Sequence, residues 1–136
     1  ENMMQLAGQL NIADAVEFAG LQSNVYPWLH NADVFILPSK FEGMPMTLIE
    51  AMGTGLPIIA SNVGGIPDML TDQKDAVLIE PKEDCVISAL ELIYFDEEKR
   101  KYLGRNARDR SAVFSEKTMA KRYIDVYIDA SGEEVL

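Results

Sequence analysis

Two glutamates near the middle of the chain have the type and spacing to bind one polar ligand together. Glu42 and Glu50 have seven residues between them, and the loop around Gly43 leads from the first into the predicted helix that carries the second. Backbone N–H groups and the helix dipole favour an anion at the start of a helix. Carboxylates repel phosphates but accept hydrogen bonds from hydroxyl groups. The stretch therefore offers an acceptor, amide donors and a second acceptor, which suits a sugar, a diphosphate and a ribose in a row.

The elements that must position these groups lie between residues 33 and 67. An apolar run over 34–37 is stopped by Pro38, which predicts a strand buried on both faces. A helix is predicted over 45–52 and a second buried strand over 57–60. A strand, a helix and a strand in so short a segment imply a parallel crossover. Ligands bind at the carboxyl ends of the strands in such sheets.

Hydrophobic spacing predicts further elements on both sides of this segment. Strands are predicted over 16–19 and 76–79, and helices over 1–10, 25–31, 83–95 and 96–107, with a short helix ending at 70 and a last helix from 115. Asp96 and Ser115 are predicted helix caps, and residues 131–136 are a predicted irregular tail. The alternation of strands with helices predicts an α/β fold in which helices flank a parallel sheet.

Composition excludes several classes of function. The 136 residues make one domain with a net charge of −10, and the basic residues are interleaved with acids, as over 97–101, so nucleic acid is an improbable partner. With one cysteine, Cys85, and one histidine, His30, neither a disulfide nor an ordinary zinc site is expected. No apolar run approaches the roughly 20 residues that span a bilayer, and no basic leader is visible. These features predict a cytoplasmic protein.

The surroundings of the two glutamates are more specific than their spacing. The sequence reads ADVFILPS before the pair, EAMGTGLPIIAS from the second glutamate onward, and then GGIPD. This context resembles the E-x7-E motif of bacterial-type retaining glycosyltransferases of family four, whose fold (GT-B) has two Rossmann-like domains facing a cleft. The resemblance covers essentially the whole chain and is to the C-terminal, donor-binding half. It implies that residues 1–136 are a partial nucleotide-sugar-binding domain from which the first two strands are absent.

The resemblance also implies roles for individual residues. Glu42 matches the catalytic glutamate that accepts hydrogen bonds from the transferred sugar, and Glu50 matches the residue that holds the ribose. The positions that match the donor sugar and diphosphate site are Glu42, Gly43, Met44, Pro45, Met46 and Thr47. A less specific match places Gly20, Leu21 and Gln22 along the nucleotide base. Pro45 stands where the family commonly has a second glycine, and it removes one amide donor.

The activity implied is transfer of a hexose from a nucleotide-diphosphate sugar to an acceptor hydroxyl, in glycan, lipid-linked or polysaccharide biosynthesis. No metal and no further cofactor are implied. The acceptor glycan or lipid would be bound by an N-terminal domain, through which related enzymes can dock on membranes. Because that domain and the family's basic pair are absent from this chain, the chain alone is expected to be inactive. Gly64 and Gly65 are expected to form a turn close to the ligand. Lys40 is expected to be a solvated loop lysine, and Asp68 a helix cap.

Two other readings of the sequence remain. One is a non-catalytic nucleotide-binding or regulatory Rossmann-like module. The other is a signalling receiver domain, which is disfavoured because no acidic cluster closes an early strand and no lysine follows a late one. In the family's strand order, the two absent strands would lie between 16–19 and 34–37. We therefore expect strand 16–19 to pair with 34–37, to be held loosely, or to leave a gap that another chain fills by oligomerisation or strand exchange.

Overall fold

A computed structural model describes residues 2–131 and contains a three-stranded parallel sheet in the order β1-β2-β3. The strands are β1 (Phe35–Leu37), β2 (Ile58–Ser61) and β3 (Val77–Ile79). The helices are α1 (Met3–Gln9), α2 (Tyr26–Asn31), α3 (Met46–Thr54), α4 (Ile66–Met69), α5 (Glu83–Tyr94), α6 (Glu97–Ser111) and α7 (Glu116–Ser131). The predicted α/β class, a Rossmann-like parallel sheet flanked by helices, is confirmed.

The central strand β2 separates two apolar cores. Ile58 and Ala60 face a core shared with α3 and α4, whereas Ile59 faces a second core shared with β3 and α5. Helix α6 contributes to both cores, with Ala107 in the first and Leu103 in the second. All four residues of β2 are buried. A continuous apolar run is typical of a strand covered on both faces, so this part of the sequence prediction is confirmed.

Strand β1 is less enclosed than its sequence predicts. Phe35 and Leu37 are half-buried and Ile36 is 36% exposed, so the expectation of burial on both faces is wrong. The cause is its position in the sheet, because β1 pairs only with β2. Within residues 2–131 no strand covers its other edge.

The prediction of a strand over 16–19 is wrong, because the structure has no strand there. After a 3-10 helix at Ala13–Ala15, the backbone follows an irregular path, and the side chains of Val16 and Phe18 are 37% and 42% exposed. A strand is stable only when its N–H and C=O groups are paired, and the part of the chain that the structure describes places no strand beside this segment. Of the three arrangements expected for 16–19, direct pairing with β1 does not occur. Oligomerisation and strand exchange stay predictions.

Helix α3 begins one residue later and ends later than predicted. Pro45 is its N-cap rather than its first residue, and the helix continues through Gly53 to end at Gly55, where φ is +79°. A positive φ favours glycine at that position. A Cβ on Gly104 would lie 2.2 Å from the carbonyl oxygen of Gly55. Helix α6 therefore meets the end of α3 backbone to backbone.

The predicted caps of the last two helices are confirmed. The Asp96 carboxylate accepts the Lys99 N–H at 2.8 Å, and the Ser115 hydroxyl accepts the Thr118 N–H at 3.2 Å. Of the predicted tail, Ser131 is the last helical residue of α7, and residues 132–136 lie outside the described residues, as does residue 1. Within the described range, no helix is both long enough and apolar enough to cross a bilayer.

Candidate functional site

The loop between β1 and α3 carries the first candidate glutamate. It leaves the carboxyl end of β1 after Leu37 and enters α3 at Met46. Within it Glu42 is half-buried, and the hydroxyl of half-buried Ser39 donates a hydrogen bond of 2.7 Å to its Oε1. The carboxylate is therefore oriented by a side chain from its own loop. The sequence contains both residues, but nothing in their spacing of three predicts this contact.

A turn of two glycines supports the same loop from the neighbouring strand. The Gly65 N–H donates to the carbonyl oxygen of Glu42 at 3.3 Å. A Cβ on Gly64, where φ is +55°, would lie 1.7 Å from that oxygen, and a Cβ on Gly65 would lie 2.3 Å from the carbonyl oxygen of Gly43. Any larger residue must displace the loop. The sequence predicts that these glycines form a turn close to the ligand, and the structure adds their contacts with the backbone of Glu42 and Gly43.

The start of α3 has no side-chain cap. Pro45, its N-cap, has no side chain that can accept a hydrogen bond from the first amides, although its carbonyl oxygen accepts the Leu48 N–H at 3.1 Å. The first N–H groups of a helix have no partner within the helix. The amides of Met46 and Thr47 thus meet the requirement for anion binding that the sequence predicts, with the positive end of the helix dipole behind them.

Glu50, the second glutamate, lies one turn after these amides. It is half-buried, at positions i+4 and i+3 from Met46 and Thr47. Long helical side chains lean toward the N-terminus of their helix and cover the preceding turn. Within residues 2–131 neither Glu42 nor Glu50 takes part in an ion pair. Glu42 therefore lies in the loop before α3, and Glu50 is the fifth of the nine residues of that helix.

The two methionines of the loop have a different surrounding. Met44 and Met46 are each 61% exposed. Their side chains line an apolar groove of about 520 Å³ together with residues of α7 such as Met119 and Tyr123. The contact between Met44 and a sugar stays a prediction. What the loop offers to an anion is its backbone amides rather than these side chains.

The loop predicted to line a nucleotide base is exposed. Gly20 has a φ of +63°, the side chain of Leu21 is fully exposed, and the Gln22 amide donates to the carbonyl oxygen of Ala19. These features shape the loop itself. The assignment of Gly20, Leu21 and Gln22 to base binding stays a prediction.

Outside the loop, two exposed carboxyl groups have a pKa that a neighbouring lysine lowers. The hydrogen bond and the charge of Lys82, 2.5 Å away, lower the pKa of the Glu80 carboxyl, and Lys101 acts in the same way on the pKa of Glu97. His30 is exposed near the end of α2. Among the described residues, no three of the His, Cys, Asp and Glu side chains are gathered as metal ligands.

Comparison with known proteins identifies the family. The model described as "Glycosyl transferases group 1" matches residues 1–110, so the chain belongs to this family. N-acetyl-alpha-D-glucosaminyl L-malate synthase of Bacillus anthracis is 32% identical over 135 residues, which cover 97% of this chain and 35% of the relative. The resemblance of the sequence to the C-terminal half of a GT-B glycosyltransferase is therefore confirmed.

Solved structures show the same fold. Sucrose-phosphate synthase from Thermosynechococcus elongatus superposes with a TM-score of 0.87 at 28% identity, over 96% of this chain and 34% of that protein. Anabaena HepE, solved in complex with UDP-glucose, superposes with a TM-score of 0.81 at 19% identity, over 94% of this chain and 36% of that protein. The chain thus spans about a third of the length of each of these three proteins.

Proposed function

We propose that this chain is the donor-binding part of a retaining glycosyltransferase that moves a hexose from a nucleotide-diphosphate sugar to an acceptor hydroxyl. The observation that carries the proposal is the uncapped start of α3, which follows the loop of Glu42 and lies one turn before Glu50 in the chain. The family assignment supports the class of reaction. The solved complex of a protein of the same fold with UDP-glucose supports the class of donor.

Each part of the donor is proposed to meet a different group. The amides from Gly43 to Thr47, with Pro45 lacking one, bind the diphosphate. Glu42 accepts hydrogen bonds from the hydroxyls of the transferred sugar and is the catalytic residue of this chain. Glu50, one turn further along α3, accepts hydrogen bonds from the ribose hydroxyls. The loop of Gly20, Leu21 and Gln22 is proposed to line the base.

The proposed chemistry places the largest demand on the amides. The bond between the sugar C1 and the diphosphate oxygen breaks, its electron pair leaves with the diphosphate, and an oxocarbenium-like sugar forms. The acceptor oxygen bonds to C1 on the same face, and its proton passes to the leaving phosphate. Preorganised N–H donors at the start of α3 stabilise the charge that develops on the leaving group. The proposal requires neither a protein nucleophile nor a metal ion.

The rest of the protein is proposed to supply what this chain lacks. Residues 1–136 form a partial C-terminal domain, and an N-terminal domain binds the acceptor glycan or lipid. The full-length protein works in the cytoplasm and associates with the membrane. Further strands of its own chain, or of a second copy, cover the free edge of β1. Without these parts the chain alone does not turn over, so measurable transfer by residues 1–136 would contradict this part of the proposal.

Donor binding by the full-length protein tests the proposal. Calorimetric titration with UDP-, GDP- and ADP-glucose should identify one preferred donor. Glu50→Ala should lower the affinity for both that donor and its parent diphosphate by about tenfold. Both ligands contain the ribose whose hydroxyls the carboxylate is proposed to bind. Glu91→Ala, at an exposed position of α5, is the matched control. Unchanged affinity of the Glu50 variant, or no binding of any donor by the native protein, would contradict the proposal.

A further inference from the structure

We propose that Ser39 is the positioning residue for Glu42, and that it tunes recognition of the sugar rather than of the nucleotide. The inference rests on the proposed function, because it concerns the carboxylate that receives the sugar there. Ser39 Oγ donates to Glu42 Oε1 at 2.7 Å, and both side chains are half-buried between β1 and α3. No other side-chain hydrogen bond or ion pair holds this carboxylate within residues 2–131.

The position of Glu42 suggests a simpler role, which the contacts contradict. A negatively charged side chain near the start of a helix is stabilised by the helix dipole and can accept hydrogen bonds from the first helical amides. Here Pro45 is the N-cap of α3, and no side chain caps the helix. The carboxylate of Glu42 is therefore held by Ser39 and leaves the helix amides free. A carboxylate has acceptor sites on two oxygens, so one contact on Oε1 fixes the rotamer and leaves further sites for sugar hydroxyls.

The backbone and the side chain of Glu42 are held by separate contacts. Gly65 donates to its carbonyl oxygen, and the close approach of Gly64 fixes the path of the main chain. The Ser39 hydroxyl acts only on the carboxylate. Removing that hydroxyl should therefore free the rotamer of Glu42 while the loop keeps its path. A carboxylate that samples several rotamers must be ordered again whenever a sugar binds, which weakens the sugar contact.

The experiment compares two ligands of the full-length protein by calorimetry. One is the donor preferred among UDP-, GDP- and ADP-glucose, and the other is the parent diphosphate without the sugar. Ser39→Ala should lower the affinity for the nucleotide sugar by about 5- to 10-fold and change the affinity for the diphosphate by less than about twofold. Ser39→Thr, which keeps the hydroxyl, should restore most of the sugar affinity. Ser88→Ala is the control, because the Ser88 hydroxyl bonds to the Asp84 carbonyl oxygen on α5.

A double-mutant cycle separates this inference from the proposed function. Glu42→Gln should lower the affinity for the nucleotide sugar but not for the diphosphate. Adding Ser39→Ala to that variant should cause no further loss of sugar affinity. Selective loss in Glu42→Gln without loss in Ser39→Ala would overturn the role of Ser39 alone. Equal loss of both ligands in Ser39→Ala would show a merely structural role and overturn it too. If Glu42→Gln has no selective effect, the proposed role of Glu42 fails, and the role of Ser39 fails with it.

Discussion

Residues 2–34 and residues 35–114 have similar apolar patterns but are packed very differently. In the first region, Ala7 alone is buried among the described residues. In the second, β2 is buried at each of its four residues, and α3 and α5 enclose it from opposite faces. The second region also contains the loop of Glu42 and the helix of Glu50. The candidate site thus belongs to the well-packed region.

The difference shows what an apolar pattern leaves unspecified. The run over 57–60 becomes a strand because β1 and β3 pair with it on either side. The alternation over 16–19 is as regular, yet no strand forms there because no neighbour supplies the hydrogen bonds. A pattern therefore predicts which faces of a strand are apolar. It does not predict whether the chain provides a partner.

Truncation of a core side chain should give the largest contrast between the two regions. Leu48→Ala removes a side chain that is fully buried between α3 and the sheet, and it should lower the free energy of unfolding by about 2–5 kcal/mol. Phe18→Ala, at a 42% exposed position in the first region, should cost less than about 1 kcal/mol. Urea unfolding of both variants checks the contrast. Equal costs would mean that residues 2–34 are packed as well as the sheet.

Two glycine substitutions should separate close backbone contacts from open surface within the second region. Gly65→Ala places a Cβ against the Gly43 carbonyl oxygen, and it should destabilise the chain by about 1–3 kcal/mol. Gly53 lies within α3, and a Cβ added there would meet no other atom within 4 Å. Gly53→Ala should therefore stabilise the chain by about 0.5–1 kcal/mol. Thermal unfolding gives both signs. A neutral Gly65 variant would show that the loop of Glu42 moves aside without cost.

The surface pair of Glu97 and Lys101 should give the smallest effect. Lys101 lowers the pKa of Glu97 from its ordinary 4.5, so the stabilisation is present above that pH and is lost as the pH falls through the lowered pKa. The pKa of Lys101 is raised from 10.5, so its share is lost only as the pH rises through the raised pKa. Between these limits Glu97→Gln should lower Tm slightly, and salt should shrink the difference.

A matched variant on the neighbouring helix serves as the control for this pair. Glu91→Gln changes an exposed glutamate of α5 that takes part in no ion pair within residues 2–131. The difference in Tm between this variant and the native protein should stay constant across the same pH range. A Tm difference for Glu97→Gln that persists in acid would show that the charge of the pair is not its cause.

Most of the architecture could be predicted because local signals agree with the tertiary structure. The strands before Pro38 and Pro81 and the caps Asp96 and Ser115 all have direct sequence signals. The exposure of β1 could not be predicted in the same way, because it depends on what lies across its free edge. Local patterns contain no information about a neighbour that the described chain does not supply.

The candidate site could be predicted as residues but not as contacts. The motif context selects Glu42 and Glu50 as candidates, and the structure has Glu42 in the loop before α3 and Glu50 in the middle of that helix. The hydrogen bond from Ser39 and the support from the Gly64 turn were not predicted. Such contacts depend on side-chain rotamers and on the approach of two loops that are more than twenty residues apart in the sequence. A consecutive glycine pair at a strand end was the one available signal.

The contact between Gly55 and Gly104 has a consequence for anyone who recombines this domain with its relatives. No side chain separates the two backbones, so the orientation of α3 depends directly on α6. The start of α3 lies about 13 Å along the helix axis from that contact. A transplanted α3 needs glycine at position 104 as much as it needs its own residues. A hybrid with any bulkier residue there would tilt the transplanted helix and misplace its far end.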